Sequence, residues 1–195
     1  AVAPVITRLV RAAEGRTLAL FTSHAALQAV ATLIRPELEA AGINVFAQGV
    51  DGDPRHLTEN LRTNPRSVVL GAQSFWEGVD IPGGQLSCVC IDKIPFPNSS
   101  HPVEAARSDL LGRQAFTKLH LPRAITMLKQ GVGRLIRQET DRGLLVLADP
   151  RLRSKRYGRD ILAALPGSPV ADVTTLSSDS LPLVGRFLNK VVTMR

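Results

Sequence analysis

Two arginines three residues apart are the side chains best suited to chemistry in this sequence. Arg134 and Arg137 lie in the stretch KQGVGRLIRQETDRG, residues 129–143. On a helical wheel they fall with Gln130 within roughly 60°, opposite the apolar stripe expected to face the core. This cluster has no acidic partner three or four residues away on the same face. Two guanidinium groups and an amide suit a phosphate chain, and the alternative is a solvated polar face.

The glycines within the same stretch support the phosphate interpretation. Gly131 and Gly133 each weaken a helix by about 1 kcal/mol relative to alanine, so we expect them to let another group approach the backbone closely. The sequence contains neither GxxxxGK[ST] nor GxGxxG after a strand, the two loops that commonly hold phosphates. Arginines without a phosphate-binding loop predict half of a site that another domain completes.

The apolar pattern indicates the elements that must position these residues. Short apolar runs alternate with helical stripes, which predicts a doubly wound α/β sandwich with a parallel sheet. Ser23 and Asp53 are expected to be helix N-caps, and Pro36 is expected to kink or divide its helix. We expect one domain over residues 1–165, and an extension over 166–195 that packs on it as a short strand and a closing helix. The predicted strands are 17–21, 43–48, 67–71, 85–93 and 144–149, and the main predicted helices are 24–41, 54–63, 102–119, 122–138 and 159–165.

Composition narrows the class of protein. The 195 residues include 24 Lys and Arg against 17 Asp and Glu, a net charge of +7 that favours polyanionic partners. No apolar run approaches the roughly 18 residues of a membrane span, and the amino end lacks the pattern of a signal peptide.

Cys88 and Cys90 are expected on one face of a strand and are too few for a metal cluster, which favours a reducing, cytoplasmic setting. Because the chain starts with Ala, we expect a piece of a longer protein.

Five stretches, taken in order, resemble one family. QGVGRLIR matches the QxxGRxxR form of helicase motif VI, SVVLGAQSFWEGVDIPGG (67–84) is similar to motif V, and TLALFTSH (17–24) is similar to motif IV. CIDKIPFPNSSHPV (90–103) and ETDRGLLVLADPRL (139–152) complete the series. Over residues 15–160 the chain resembles the second motor domain of superfamily-2 DNA helicases of the DinG/XPD type. The resemblance implies a RecA-like three-layer sandwich without its own P-loop.

The resemblance implies an ATP-facing set of residues. Arg134 and Arg137 would be arginine fingers that reach the γ-phosphate of ATP held by a first motor domain, and the sequence does not rank them. The other ATP-facing residues would be Gln130, Glu77, Gly78 and Asp80.

A second set is implied to contact single-stranded DNA. Hydroxyl and backbone groups at strand ends position a phosphate backbone without reading its sequence. Ala72 stands where many relatives have threonine, which removes one expected phosphate contact. Trp76 has packing as its alternative role. The implied DNA-contacting residues are Thr22, Ser23, Gln73, Ser74 and Trp76.

The resemblance also implies what the chain needs from elsewhere. ATP and Mg²⁺ would be shared with the first motor domain of the same polypeptide, and an iron–sulfur cluster, where a relative has one, would lie in that first domain. We expect this chain alone to be monomeric and inactive as an ATPase. One alternative is a stand-alone nucleic-acid-binding or regulatory domain that kept the fold and lost the motor. A small-molecule α/β enzyme is another, although no catalytic pair is apparent.

Overall fold

A parallel sheet forms the centre of the computed structural model, which describes residues 2–77, 86–135, 143–165 and 191–193. Every pair of neighbouring strands is parallel, in the order β2-β3-β1-β4-β5-β6. The five predicted strands are confirmed, and residues 191–193 of the tail pair with β5 as a sixth. The strands are β1 Thr17–Leu20, β2 Asn44–Ala47, β3 Ser67–Gly71, β4 Cys88–Ile91, β5 Leu144–Leu147 and β6 Val191–Thr193.

Helices cover both faces of this sheet. The chain crosses from β3 over β1 to β4, so the strand order reverses at β1 and leaves a crevice at the carboxyl ends of β1 and β4. The described helices are α1 Ala3–Ala12, α2 His24–Ala40, α3 Pro54–Thr63, α4 Gln73–Glu77, α5 Pro102–Leu111, α6 Leu121–Val132, α7 Arg151–Ser154 and α8 Tyr157–Ala164.

Two separate cores fill the space between the sheet and its helices. Alternate residues of each strand point to opposite faces, so Ala19 joins one core and its neighbours Leu18 and Leu20 join the other. Cys88 and Cys90 lie together in the first core, which confirms that they share a face of β4. The first core packs under α1 and α2, and the second packs under α3, α4, α6 and α8.

Local signals begin and end the helices as the sequence indicates. Ser23 Oγ accepts a hydrogen bond from the Ala26 backbone N–H at 3.2 Å, and Asp53 Oδ1 accepts one from the His56 N–H at 2.9 Å. Both predicted N-caps are therefore confirmed. Gly42 follows the end of α2 with φ +72°, a conformation that favours glycine. Pro36 lies inside α2 without dividing it, because the helix runs continuously from His24 to Ala40.

Two predictions about helices were wrong. The helix expected over 122–138 ends at Val132, and Gly133 is its C-cap. The single helix expected over 102–119 is instead α5, a 3₁₀ turn at Gly112–Gln114 and a π-helical turn at Phe116–His120, with Gly112 at φ +49° where α5 ends. The sequence pattern also missed α1 and α4. The first is a clear amphipathic helix, and the second is too short for a periodic signal.

Candidate functional site

The end of β1 presents two exposed hydroxyl groups at the carboxyl edge of the sheet. Thr22 and Ser23 are both exposed, and the Thr22 backbone N–H donates to Asp92 Oδ1 at 3.2 Å. Asp92 follows β4 and is only 8% exposed. Burial raises the pKa of Asp92 above its ordinary value. The charge of Lys93 and the hydrogen bond from Thr22 lower this pKa, but they offset the effect of burial only in part. Asp92 therefore holds the turn after β1 in place through one backbone contact.

Gln48 organises the turn between β3 and α4. Its Oε1 accepts from the Ala72 backbone N–H at 2.7 Å, and its Nε2 donates to Ser74 Oγ at 2.6 Å. Ser74 is exposed, and because its oxygen is the acceptor, its O–H can still donate to a ligand. The amide of Gln48 thus fixes both the backbone and the hydroxyl of this segment. Gln73 begins α4, and its side chain lies outside the described residues.

Trp76 is a core residue that joins two segments of the site. Its ring is 1% exposed, and its Nε1–H donates to the Phe21 carbonyl at 3.2 Å. A Cβ placed on Gly131 would lie 3.0 Å from Trp76 Cζ3 and 3.2 Å from Leu20 Cδ1. The expectation that a glycine here allows a close approach to the backbone is therefore confirmed at Gly131, and the group that approaches is the indole of Trp76. Packing is the role that these contacts support for Trp76.

Arg134 lies in the turn after α6 rather than on the helix. Its side chain is half-buried, and Nη2 donates to the Trp76 carbonyl at 3.2 Å. The helical wheel placed Arg134 on the helix, and this was wrong because the helix ends two residues earlier. Gln130 remains on α6 and is exposed, as predicted.

The remaining predicted ATP-facing residues are only partly covered by the structure. Glu77 is the last residue of α4, and its side chain lies outside the described part of the chain. Gly78, Asp80 and Arg137 also lie outside the described residues. Their expected roles stay predictions.

A buried carboxylate after β5 positions the segment that follows β4. Asp149, 2% exposed, accepts from the Ile94 backbone N–H at 2.8 Å and from Arg151 Nη2 at 2.6 Å. Burial alone would raise the pKa of Asp149, but the hydrogen bonds from Arg151 and Ile94 outweigh it and hold this pKa below its ordinary value. Arg151 also lies over the ring of Phe96, 5.3 Å from its centroid.

The described residues do not themselves form a metal or cluster site. Within the described ranges, no three His, Cys, Asp or Glu side chains come together in a way that would hold a metal ion. Cys88 and Cys90 are buried, and burial raises the pKa of Cys88 to about 12. Iron–sulfur ligation requires thiolates, so these two cysteines do not fit a cluster. Among the described helices, none combines the length and apolar character needed to cross a membrane.

Three residues that organise this edge were not singled out from the sequence. Gln48, Asp92 and Asp149 each follow a buried strand at its carboxyl end. A polar residue directly after an apolar run was the available signal, since the carboxyl ends of parallel strands meet at one edge. Their distant partners are the backbone N–H groups of Ala72, Thr22 and Ile94, which lie 24, 70 and 55 residues away in the chain, and no local pattern identifies them.

The fold and these motif segments agree with one family of proteins. Residues 6–168 match the helicase C-terminal domain family, and the chain belongs to that family. The RecA-like α/β fold expected from the resemblance is confirmed.

The chain is similar to helicases of the DinG and YoaA type. It is 38% identical over 165 residues to the 3′-5′ exonuclease DinG of Bacillus subtilis, which covers 83% of this chain and 18% of that protein. It is 38% identical over 170 residues to the ATP-dependent DNA helicase YoaA of Escherichia coli, covering 86% of this chain and 26% of the relative. The ATP-dependent helicase DinG of Mycobacterium tuberculosis is 38% identical over 164 residues, or 83% of this chain and 24% of the relative. The chain therefore spans about a quarter or less of the length of these relatives.

Proposed function

We propose that this chain is the second motor domain of an ATP-dependent DNA helicase. In this proposal Arg134 and Arg137 reach the γ-phosphate of ATP, which a first motor domain holds together with Mg²⁺, while the carboxyl edge of the sheet contacts single-stranded DNA. The chain would thus work as half of an ATPase and as part of a DNA track.

The contact between Arg134 and the Trp76 carbonyl is the observation that carries the proposal. This hydrogen bond, 3.2 Å long, joins the QGVGRLIR segment to α4, which belongs to the SFWEGVD segment. The sequence itself contains no P-loop, so the phosphates would have to be held by another domain. Trp76 in turn donates to the carbonyl of Phe21, which directly precedes Thr22. One buried tryptophan therefore links the arginine proposed to serve ATP with the hydroxyls proposed to serve DNA, and it offers a short route for coupling the two.

The chemistry of a guanidinium fits the triphosphate role. Arginine keeps its charge, offers several donors in one plane and stabilises the charge that develops on the transferred phosphoryl group. The hydrogen bond to the Trp76 carbonyl uses one donor of Arg134 and restricts the orientation of its side chain. ATP bound between the two domains would supply the hydrolysis energy, and Arg134 and Arg137 would orient and neutralise its terminal phosphate.

The ATPase role is tested in a protein that joins this chain to its first motor domain. Removing an arginine finger lowers turnover by roughly 10³–10⁵-fold in nucleotide hydrolases. We expect Arg134→Ala and Arg137→Ala each to abolish DNA-stimulated ATP hydrolysis while DNA affinity is kept. Arg11→Ala is the matched control, because Arg11 pairs with Glu37 across the exposed surfaces of α1 and α2. Unchanged turnover in both finger variants would refute the role, and a shared loss of thermal stability would identify a structural effect instead.

The DNA role is tested at two hydroxyls that are exposed and do not cap a helix. Thr22→Val and Ser74→Ala remove a donor with little change in shape, so we expect each to weaken single-stranded DNA binding by about two- to tenfold. ATP hydrolysis should then need more DNA to reach its maximum. Ser23 is unsuitable for this test because its loss would also remove the cap of α2, which contributes about 1 kcal/mol. Unchanged DNA affinity in the double variant would remove both residues from the track.

A further inference from the structure

A cleft of about 380 Å³ opens at the carboxyl ends of β1 and β4. This is the crevice where the strand order reverses, the usual ligand position in open parallel sheets. One side of the cleft is apolar and includes Pro95, Phe96 and Met127, and the other carries Asn98, His101 and Glu104.

Glu104 is the unusual group in this cleft. It is 8% exposed, and its Oε1 accepts from Arg107 at 3.3 Å and from Arg123. The hydrogen bond from Arg123 holds the pKa of Glu104 below its ordinary value, so the side chain is a carboxylate at neutral pH. Its Oε2 is buried and accepts no hydrogen bond from any residue that the structure describes. A buried carboxylate oxygen without a donor is costly, which points to a donor supplied by a ligand.

The apolar side of the cleft is rigid and partly aromatic. Phe96 packs against Phe116 and Tyr157, with ring centroids 5.6 and 5.7 Å apart, and it lies under the guanidinium of Arg151. Proline and aromatic surfaces held in this way offer a flat wall for a planar ring.

The cleft is continuous with the proposed DNA track. Thr22 belongs to both, and Trp76 lines the cleft beside it. Arg123 also lines the cleft, but its guanidinium is paired with Glu104 Oε1. Among the described residues of the cleft, the group that lacks a partner is the acceptor Oε2, which suits an amino group on a ring rather than a phosphate. The cavity is large enough for one flat heterocycle.

We propose that this cleft takes one nucleobase of the single-stranded DNA that passes Thr22, with an exocyclic amino group of that base donating to Glu104. The inference rests on the proposed DNA contact and adds a base-binding function to it. Cytosine, adenine and guanine carry such an amino group. Thymine has no amino group, and its one ring donor, N3–H, lies between two carbonyl oxygens that the carboxylate repels.

The first experiment separates bases from phosphates and needs no variant. Trp76 is the only tryptophan in the sequence and it lines the cleft, so its fluorescence reports on occupancy. The chain is titrated with a (dC)15 oligonucleotide and with a 15-mer of abasic sites that keeps every phosphate. We expect (dC)15 to change the Trp76 emission and to bind about fivefold more tightly or better. Equal binding and equal emission would overturn the base pocket and leave the phosphate track intact, whereas absence of binding to both oligonucleotides would defeat the DNA proposal as well.

The second experiment tests Glu104 itself. The wild-type chain should bind (dC)15 about threefold or more tightly than (dT)15. Glu104→Gln should remove this preference, because a neutral amide neither attracts the amino group nor repels the thymine carbonyls as strongly. Glu37→Gln is the matched control, since Glu37 is also paired with an arginine but lies on exposed α2 away from the cleft. A preference that persists in a folded Glu104→Gln variant, or one that is absent from the wild-type chain, would overturn the role of Glu104.

Discussion

The two faces of the sheet are built differently. The core under α1 and α2 is almost entirely aliphatic, and Phe21 is its single aromatic side chain among the described residues. The core under α3, α4, α6 and α8 includes Phe75 and Trp76, and Phe46, Phe96 and Tyr157 pack around it. Among the described residues of the first core, Phe21 alone lines the cleft, and this face is otherwise closed to it, whereas the second core meets the cleft, α4 and the turn that carries Arg134.

This difference predicts that one face of the sheet mainly stabilises the fold, whereas the other face also takes part in the proposed DNA binding. Small aliphatic side chains fill the first face at high density and make no demand for polar partners. The second face uses larger rings whose polar atoms need acceptors, so Trp76 donates to the Phe21 carbonyl and thereby links distant segments. Mutations on the first face should therefore affect folding alone, whereas mutations on the second should affect folding and binding together.

The largest expected effect is on the aliphatic face. Leu38→Ala removes a fully buried side chain from α2, which should lower the free energy of unfolding by about 2–5 kcal/mol. Urea unfolding measures this loss. DNA affinity, corrected for the folded fraction, should not change, and a specific loss of DNA binding would contradict the division between the two faces.

A smaller effect is expected at the carboxyl edge. Asp149→Ala leaves the Ile94 N–H and Arg151 without their acceptor, which should cost about 2–3 kcal/mol at pH 7. The pKa of Asp149 is lower in the folded protein than its ordinary value of 3.8. Its stabilising contribution is therefore present above pH 3.8 and is lost as the pH falls through the folded-state pKa. Unfolding curves of both proteins should converge in acid, and a constant difference would contradict the assigned role of the charge.

Two glycines in the same segment give a matched comparison. Gly131→Ala would place a Cβ 3.0 Å from Trp76, so crowding should lower stability by about 1–2 kcal/mol despite the better helix propensity of alanine. At Gly133 the added Cβ would lie 3.3 Å from the Lys129 carbonyl oxygen, in a residue with φ −61°. Gly133→Ala should therefore change stability by less than about 0.5 kcal/mol. Thermal melts measure both changes, and stabilisation by Gly131→Ala would contradict the close packing of Trp76 against this glycine.

The smallest expected effect has the opposite sign. Asp92→Asn keeps an oxygen for the Thr22 N–H and removes a buried charge whose pKa is raised by burial. An acid with a raised pKa destabilises the folded state when it is ionised, so the variant should be more stable at pH 7, by less than about 1 kcal/mol. Paired unfolding curves at pH 7 and pH 4 measure the difference. Destabilisation at pH 7 would show that the negative charge itself is needed to hold the turn after β1.

The sequence predicted the sheet well because its signals are local. Five apolar runs, the caps at Ser23 and Asp53, and the shared face of Cys88 and Cys90 all depend on neighbouring residues. The end of α6 lies beside a contact that is not local, because Trp76 packs against Gly131 from 55 residues earlier in the chain. A helical wheel extends the helix through Arg134 because it assumes that the helix continues.

The candidate site was predicted in part for the same reason. Residue spacing singled out Arg134, and the family resemblance implied Thr22 and Ser74. The structure describes all three at or near the carboxyl edge, and their roles stay predictions. The roles of Gln48 and Glu104 could not be predicted, because they depend on contacts between segments that are distant in the sequence. Gln48 reaches across from β2, and Glu104 is buried only because α5 packs with Arg123 of α6.

Amide hydrogen exchange of the chain with and without (dC)15 tests most directly where DNA binds. We predict slower exchange on adding DNA in residues 21–24, 72–76 and 95–101, which follow β1, β3 and β4. Exchange in α1 and in the second half of α2 should stay the same, because those segments belong to the closed aliphatic face. Protection confined to α1 and α2, with no change after β1, β3 and β4, would contradict the account.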